Sequence, residues 1–249
     1  MLVIIKLLFI FMYIGKLTRS ESILIAAGFS GGTFIDRVEV LTLNRSSDTS
    51  CDLDDFPAHV EGGVASYIGN KVVVCGGKDG KGSIRRDCVE LNSNGSWSNS
   101  FAVMSSPRLF PFGVKLGNEW IVTGGSGKDG KLTDSSEIYS VNIGELQNSK
   151  NEKVFFQDFD FKQGPMLPIA VNDHCIATIN STHFALIGGK TEETSFAQGS
   201  FLYSSLEDKW TELPNLNVGR NGHFCGLVGD QPHYSRTAGC GFFRVARSL

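Results

Sequence analysis

Apolar side chains in this chain come in short runs, and four of the runs end alike. "ILIAAG" (Ile23–Gly28), "KVVVCGG" (Lys71–Gly77), "EWIVTGG" (Glu119–Gly125) and "HFALIGG" (His183–Gly189) each close on a pair of glycines or, in the first, on Ala27 and Gly28. Short apolar runs that are rich in β-branched residues and bounded by turn residues predict buried strands. Successive copies lie about fifty residues apart, except that the last interval is stretched to sixty-four. A period near fifty that carries a glycine pair points to a propeller array.

More of the period aligns once the pairs are fixed. A polar loop follows, and then a segment of alternating apolar and polar positions: "EVLTLN" from Glu39, "DCVELN" from Asp87 and "EIYSVN" from Glu137, with "SFLYSS" from Ser200 as a looser fourth copy. Alternation with period two predicts a half-buried strand. A further strand is expected around Trp97 in "GSWSNSF" and Trp210 in "DKWTELP", with Cys51 and Phe155 at corresponding places. Met104 with Arg108, and Leu216 with Arg220, come next, and an apolar segment such as "HCIATIN" from His174 leads into the following pair. Each period therefore holds four predicted strands, and the chain reads as all-β.

The glycine pair closing an apolar strand, an aromatic about twenty residues later and an arginine after a short loop together resemble the kelch repeat. The residues that carry the resemblance are Gly28, Gly76, Gly77, Gly124, Gly125, Gly188 and Gly189, with the aromatics Trp97 and Trp210. The resemblance runs from about Ile23 to Asp230 and implies a β-propeller of about four four-stranded kelch blades. Ala27 replaces the first glycine of the first pair, and Val60 and Ala170 stand where the family usually carries arginine. The first copy lacks the strand that precedes the pair elsewhere. "GHFCGLV" (Gly222–Val228) has the character of that strand, and joining it to the first blade would close a ring of four. The repeat stops after Asp230, so the preferred expectation is a ring left incomplete in this chain. A basic, divergent tail is read over residues 231–249.

The first twenty residues carry one early lysine, an unbroken apolar run from Leu7 to Ile14, and then small and polar side chains. The run is roughly half of what spans a bilayer, so a cleaved secretory signal is expected over 1–20 and no membrane span after its removal. The alternatives are a buried N-terminal strand or an uncleaved anchor. Export would place the six cysteines in an oxidising compartment. Cys75, just before a glycine pair, and Cys88, in the next strand, are expected to face each other across a hairpin and bond. Cys175 and Cys225 read as buried thiols, and Cys51 and Cys240 are unassigned. Asn44, Asn94 and Asn180 open N-x-S/T sequons in predicted turns, where glycans would not disturb a core.

Composition and charge narrow the function classes. Twenty-nine glycines and 10% aromatics against only seven prolines suit a packed domain with many tight turns. The formal net charge of -3 becomes about -6 once the three leader cations Lys6, Lys16 and Arg19 are removed. An acidic body is a poor ligand for phosphate backbones, so nucleic acid is not an expected partner.

"GKDGK" occurs twice, at Gly77–Lys81 and Gly127–Lys131. From Gly125 the chain spells G-x-x-x-x-G-K, but Leu132 stands where the hydroxyl residue of a phosphate loop belongs, and turn and strand follow instead of a helix. Solvated turns are one reading of the repeated pentapeptide. The functional reading is one propeller face on which Lys78, Asp79, Lys81, Lys128, Asp129 and Lys131 meet a partner. His59, His174, His183, His223 and His233 show no metal-ligand spacing, no G-x-S-x-G elbow is present, and neither a catalytic residue nor a cofactor is expected. The sequence thus reads as a secreted kelch-type propeller that binds an unidentified protein partner. An intracellular substrate-recognition or actin-associated kelch protein and a carbohydrate-active enzyme are the alternatives.

Overall fold

A computed structural model describes residues 22–30, 32–42, 53–68, 71–147 and 153–227; the leader, Asn44, Cys51, Cys240 and the tail after Asp230 lie outside them. The first blade holds β1 (Ser22–Ala26), the short hairpin β2 (Phe29–Ser30) and β3 (Thr33–Phe34), and β4 (Val38–Thr42). β5 (Val60–Glu61) leads into the second blade, built from β6 (Val64–Ile68), β7 (Lys71–Cys75), β8 (Lys78–Asp79), β9 (Asp87–Leu91) and β10 (Trp97–Val103). The third blade is β11 (Phe112–Leu116), β12 (Glu119–Thr123), β13 (Ser136–Gln147) and β14 (Lys153–Gln163). The fourth is β15 (Cys175–Thr178), β16 (His183–Ile187), β17 (Ser200–Ser204) and β18 (Lys209–Leu213).

The three later blades are antiparallel four-stranded meanders, ordered β6-β7-β9-β10, β11-β12-β13-β14 and β15-β16-β17-β18. Their second strands are buried on both sides, which is why those runs are continuous rather than alternating. One face of each sheet packs on the next. Leu24 and Ala26 of the first blade share a cluster with Val72, Val74 and Val89 of the second. Val64, Ile68 and Val73 meet Trp120, Val122 and Tyr139 across the following seam. Val114, Leu116 and Ile121 meet Ile176, Phe184 and Tyr203 across the last.

The stretched interval has a local cause. β13 does not stop at Asn142 as "EIYSVN" predicts but runs to Gln147, and it pairs with β14 in one continuous register from Glu137↔Gln163 to Gln147↔Lys153. The extra residues of this blade therefore lie in a prolonged hairpin, and the strands next to it keep their ordinary length.

Two expectations fail near the end of the chain. Among the described residues Gly222–Leu227 forms no strand and β1 pairs in a ladder with β4 alone, so the segment does not complete the first blade. The preferred expectation of an incomplete ring is the one that agrees with the described residues. Gly222–Leu227 is held on the fourth blade instead: Gly222 N–H donates to Asp173 O at 2.8 Å, and Cys225 is disulfide-bonded to Cys175. Those two cysteines are therefore not free thiols. The other bridge, Cys75–Cys88, is the expected one, with the two residues directly opposed in the β7–β9 ladder and their Cα atoms 4.1 Å apart.

Candidate partner-binding loop face

Every glycine pair sits where its second strand leaves the sheet, with a backbone that L side chains resist. Gly76 and Gly77 have φ of 68° and 84°, and Gly124 and Gly125 of 60° and 99°. A Cβ on Gly124 would stand 2.3 Å from the Val171 carbonyl oxygen, so close approach as well as positive φ requires glycine there. The first blade tolerates its exception: Ala27 takes φ of 59° itself.

In the three later blades the second glycine of the pair ties its blade to the loop that leaves it. Gly77 N–H donates to Arg108 O, Gly125 N–H to Val171 O and Gly189 N–H to Arg220 O, each at 2.8 Å. Arg108, Val171 and Arg220 are therefore equivalent, which moves the family's arginine position from Ala170 to Val171. Val60 belongs to the same set. Its neighbour Glu61 pairs with Lys78 as Leu109 pairs with Ser126 and Asn172 with Lys190.

Arg108 uses that position to bind the next blade. Its guanidinium is buried and donates to Glu137 Oε1 from Nε at 3.0 Å and from Nη2 at 2.8 Å. Nη1 donates to the carbonyls of Gly124 and Ser135, and Nη2 also to Ser135 Oγ. Glu137 Oε2 accepts from Ser105 N–H at 2.6 Å. At the preceding seam the equivalent residues are Val60 and Val89, packed in one apolar cluster. At the following seam they are Val171 and Phe201, also in one cluster. Sequence reasoning found Arg108 as a repeat feature and missed its partner. The sequence alignment set Asp87 against Glu137, and the ladder register corrects this by two residues: Val89 opposes Val74 and Phe201 opposes Leu186 as Glu137 opposes Val122.

The loops that follow the second and third pairs share one geometry at a spacing of forty-eight residues, whereas the two "GKDGK" copies are fifty residues apart. Asp79 N–H donates to Ser83 O and Gly82 N–H to Asp79 O; in the next blade Gly127 N–H donates to Lys131 O and Gly130 N–H to Gly127 O. Asp79 is thus equivalent to Gly127, and the repeated pentapeptide is shifted by two residues between blades. Both aspartates shape their turns: Asp79 Oδ1 accepts from the N–H groups of Lys81 and Ser83, and Asp129 Oδ1 from that of Lys131.

The lysines divide accordingly. Lys78 lies in β8 with its Nζ 2.5 Å from Glu61 Oε1, whereas Lys81, Lys128 and Lys131 are exposed, Lys131 to 81% with its Nζ 3.8 Å from Asp129 Oδ2. Beside them, Leu109, Phe110, Leu132, Asn172, Lys190 and Glu192 border a cleft of about 250 Å³. Glu192 Oε1 accepts from Leu132 N–H at 3.1 Å, which ties the third blade's loop to the fourth's. Under this face His174 is buried, with Nε2 2.8 Å from Thr123 Oγ1; burial, helped by nearby His223, holds its pKa down to about 3 and keeps the ring neutral.

The sequons Asn94 and Asn180 are exposed, each with Oδ1 accepting from the backbone N–H and hydroxyl two residues on. Trp97 and Trp210 lie in fourth strands and pack inward, Trp97 edge-on to Phe56 and Trp210 edge-on to Phe184. Among the described residues no group of three or more His, Cys, Asp or Glu side chains is placed to hold a metal, and no helix is long and apolar enough to cross a membrane.

No family model and no curated protein matches this chain. Among solved structures the chain is similar to YjhT, a kelch-repeat β-propeller, with a TM-score of 0.65 at 14% identity; the likeness covers 84% of this chain and 67% of that one. The fold is that of a kelch-type β-propeller.

Proposed function

We propose that this protein is an exported binding module that meets a protein partner through the loops following its glycine pairs. One observation supports this above others: Lys81, Lys128 and Lys131 project from turns whose backbones are already fixed by Asp79 and Asp129. A pre-ordered loop loses little entropy on binding, so cations held in this way favour a specific acidic partner surface over loose attraction. The rest of the molecule is acidic, so the charge of this face is local. Two disulfides support an oxidising compartment.

The reading is tested by applying purified, labelled protein to intact cells and measuring retention over a salt series. Wild type should be retained, with retention falling as salt rises, and K81E/K128E/K131E should lose it at unchanged thermal stability. Equal retention of the two proteins, or no retention of either, overturns the reading.

A further inference from the structure

A belt of backbone bonds links the loops that leave the blades, one residue from each. Phe110 N–H donates to Gly62 O at 2.8 Å, Asp173 N–H to Phe110 O at 3.3 Å and Gly222 N–H to Asp173 O at 2.8 Å. All four residues share a left-handed backbone, with φ of 67° at Gly62, 53° at Phe110, 50° at Asp173 and 54° at Gly222. Glycine takes that conformation at little cost, and a phenylalanine there is strained. The two belt residues that keep a side chain, Phe110 and Asp173, are the two that border the cleft. Strained backbone persists where the side chain it carries is used.

The cleft is held open by the backbone. Leu109 and Ser126 exchange two bonds of 2.9 Å, and Asn172 and Lys190 exchange bonds of 3.1 and 2.8 Å, so each wall is a short antiparallel bridge. Leu132, bridged to Ser126, donates its N–H to Glu192 and so joins the two walls. The Phe110 ring fills the place of a Gly62 side chain, since a Cβ there would stand 2.6 Å from it. Phe110, Leu109 and Leu132 are half-buried and form the apolar lining. One polar group of the lining is left incomplete. Asn172 is 6% exposed, its Nδ2 donates to Ser126 Oγ at 3.5 Å, and its Oδ1 has no hydrogen-bond partner among the described residues. A buried amide in that state favours a ligand that completes its bonds.

Resting on the reading of this face as a partner-binding surface, we infer that the cleft receives one tyrosine side chain of the partner. Its volume of about 250 Å³ lies below the roughly 300–1,000 Å³ of sites that take a whole drug-sized ligand, and suits a single side chain. The lining calls for an apolar body with a polar tip: the ring packs on Leu109, Phe110 and Leu132, and the hydroxyl meets Asn172. Phenylalanine lacks the tip. An indole N–H only donates, whereas a phenol both donates and accepts, and so serves Oδ1 and the weakly bonded Nδ2 of Asn172 alike. Gly130, between Lys128 and Lys131 in the chain, also borders the cleft, so the tyrosine stands within the acidic surface that those lysines attract.

Ligand-observed NMR titration of the purified full chain with N-acetyltyrosinamide and N-acetylphenylalaninamide tests the chemistry without the partner. Wild type should bind the tyrosine amide about tenfold more tightly, the difference that one hydrogen bond makes. Asn172→Leu, which copies Leu109 at the equivalent place, should bind the two amides alike. Phe110→Gly, which copies Gly62 and Gly222 in the belt, should lose both, and thermal unfolding checks that each variant is folded. A wild type without the preference, a preference kept by Asn172→Leu, or binding kept by Phe110→Gly would overturn the inference. The source is tested on cells, where saturating tyrosine amide should release retained wild type; retention untouched by it overturns the assignment to a partner's tyrosine. Wild type that shows the preference but is never retained contradicts the partner-binding reading and leaves the chemistry of the cleft standing.

Discussion

At the scale of single residues, the seam between the second and third blades turns on Arg108. A buried guanidinium is costly to desolvate, and here its charge is met by Glu137 and by two backbone carbonyls. Arg108→Val should therefore destabilise by about 3–5 kcal/mol in denaturant unfolding, chiefly because Glu137 is left as an unpaired buried charge. Adding Glu137→Val should recover most of that loss, because the preceding seam already holds Val60 and Val89 at the same two places. A double variant no better than the single one would contradict this account of the seam.

At the scale of the element, the strand ending with its glycine pair is the unit that repeats. Gly124→Ala combines a positive φ with a 2.3 Å contact to a backbone oxygen, and should cost at least about 2 kcal/mol. Ala27→Gly runs the other way. Relief of left-handed strain gives about 1–2 kcal/mol and the more flexible unfolded chain takes back about 0.4–1, so a small net gain is expected. Thermal unfolding of the two variants checks both signs. These pairs were legible in the sequence because their cause is local: a chain that leaves a sheet with positive φ favours glycine, and Ala27 is the one exception among the four strand endings. The Cys75–Cys88 bridge was legible for a similar reason, since opposed positions of one hairpin fix the distance. The Cys175–Cys225 bridge was not, because it joins residues fifty apart whose approach depends on where the loop after the fourth blade lies.

At the scale of the whole molecule, repeat spacing gave the propeller and misled about its decoration. The repeated "GKDGK" looked like one feature presented twice, yet the hydrogen bonds place its copies two residues out of register and withdraw Lys78 into an ion pair with Glu61. Letters repeat more easily than backbone positions do, because turns accept many combinations of Gly, Asp and Lys. The matched pairs at the seams were hidden for the opposite reason. Arg108 and Glu137 share no local pattern, and only the ladder register shows them to be neighbours.

Export is the proposed reading of this protein, and two disulfides and the exposed sequons Asn94 and Asn180 are the features that support it. Expression of the full chain with a C-terminal tag in a eukaryotic cell tests it most directly. The tagged protein should accumulate in the medium, resist thiol labelling at Cys75, Cys88, Cys175 and Cys225, and run faster after enzymatic deglycosylation, with the shift reduced by N94Q and by N180Q. Protein that stays in the cytosol with reactive thiols and no glycan would contradict it.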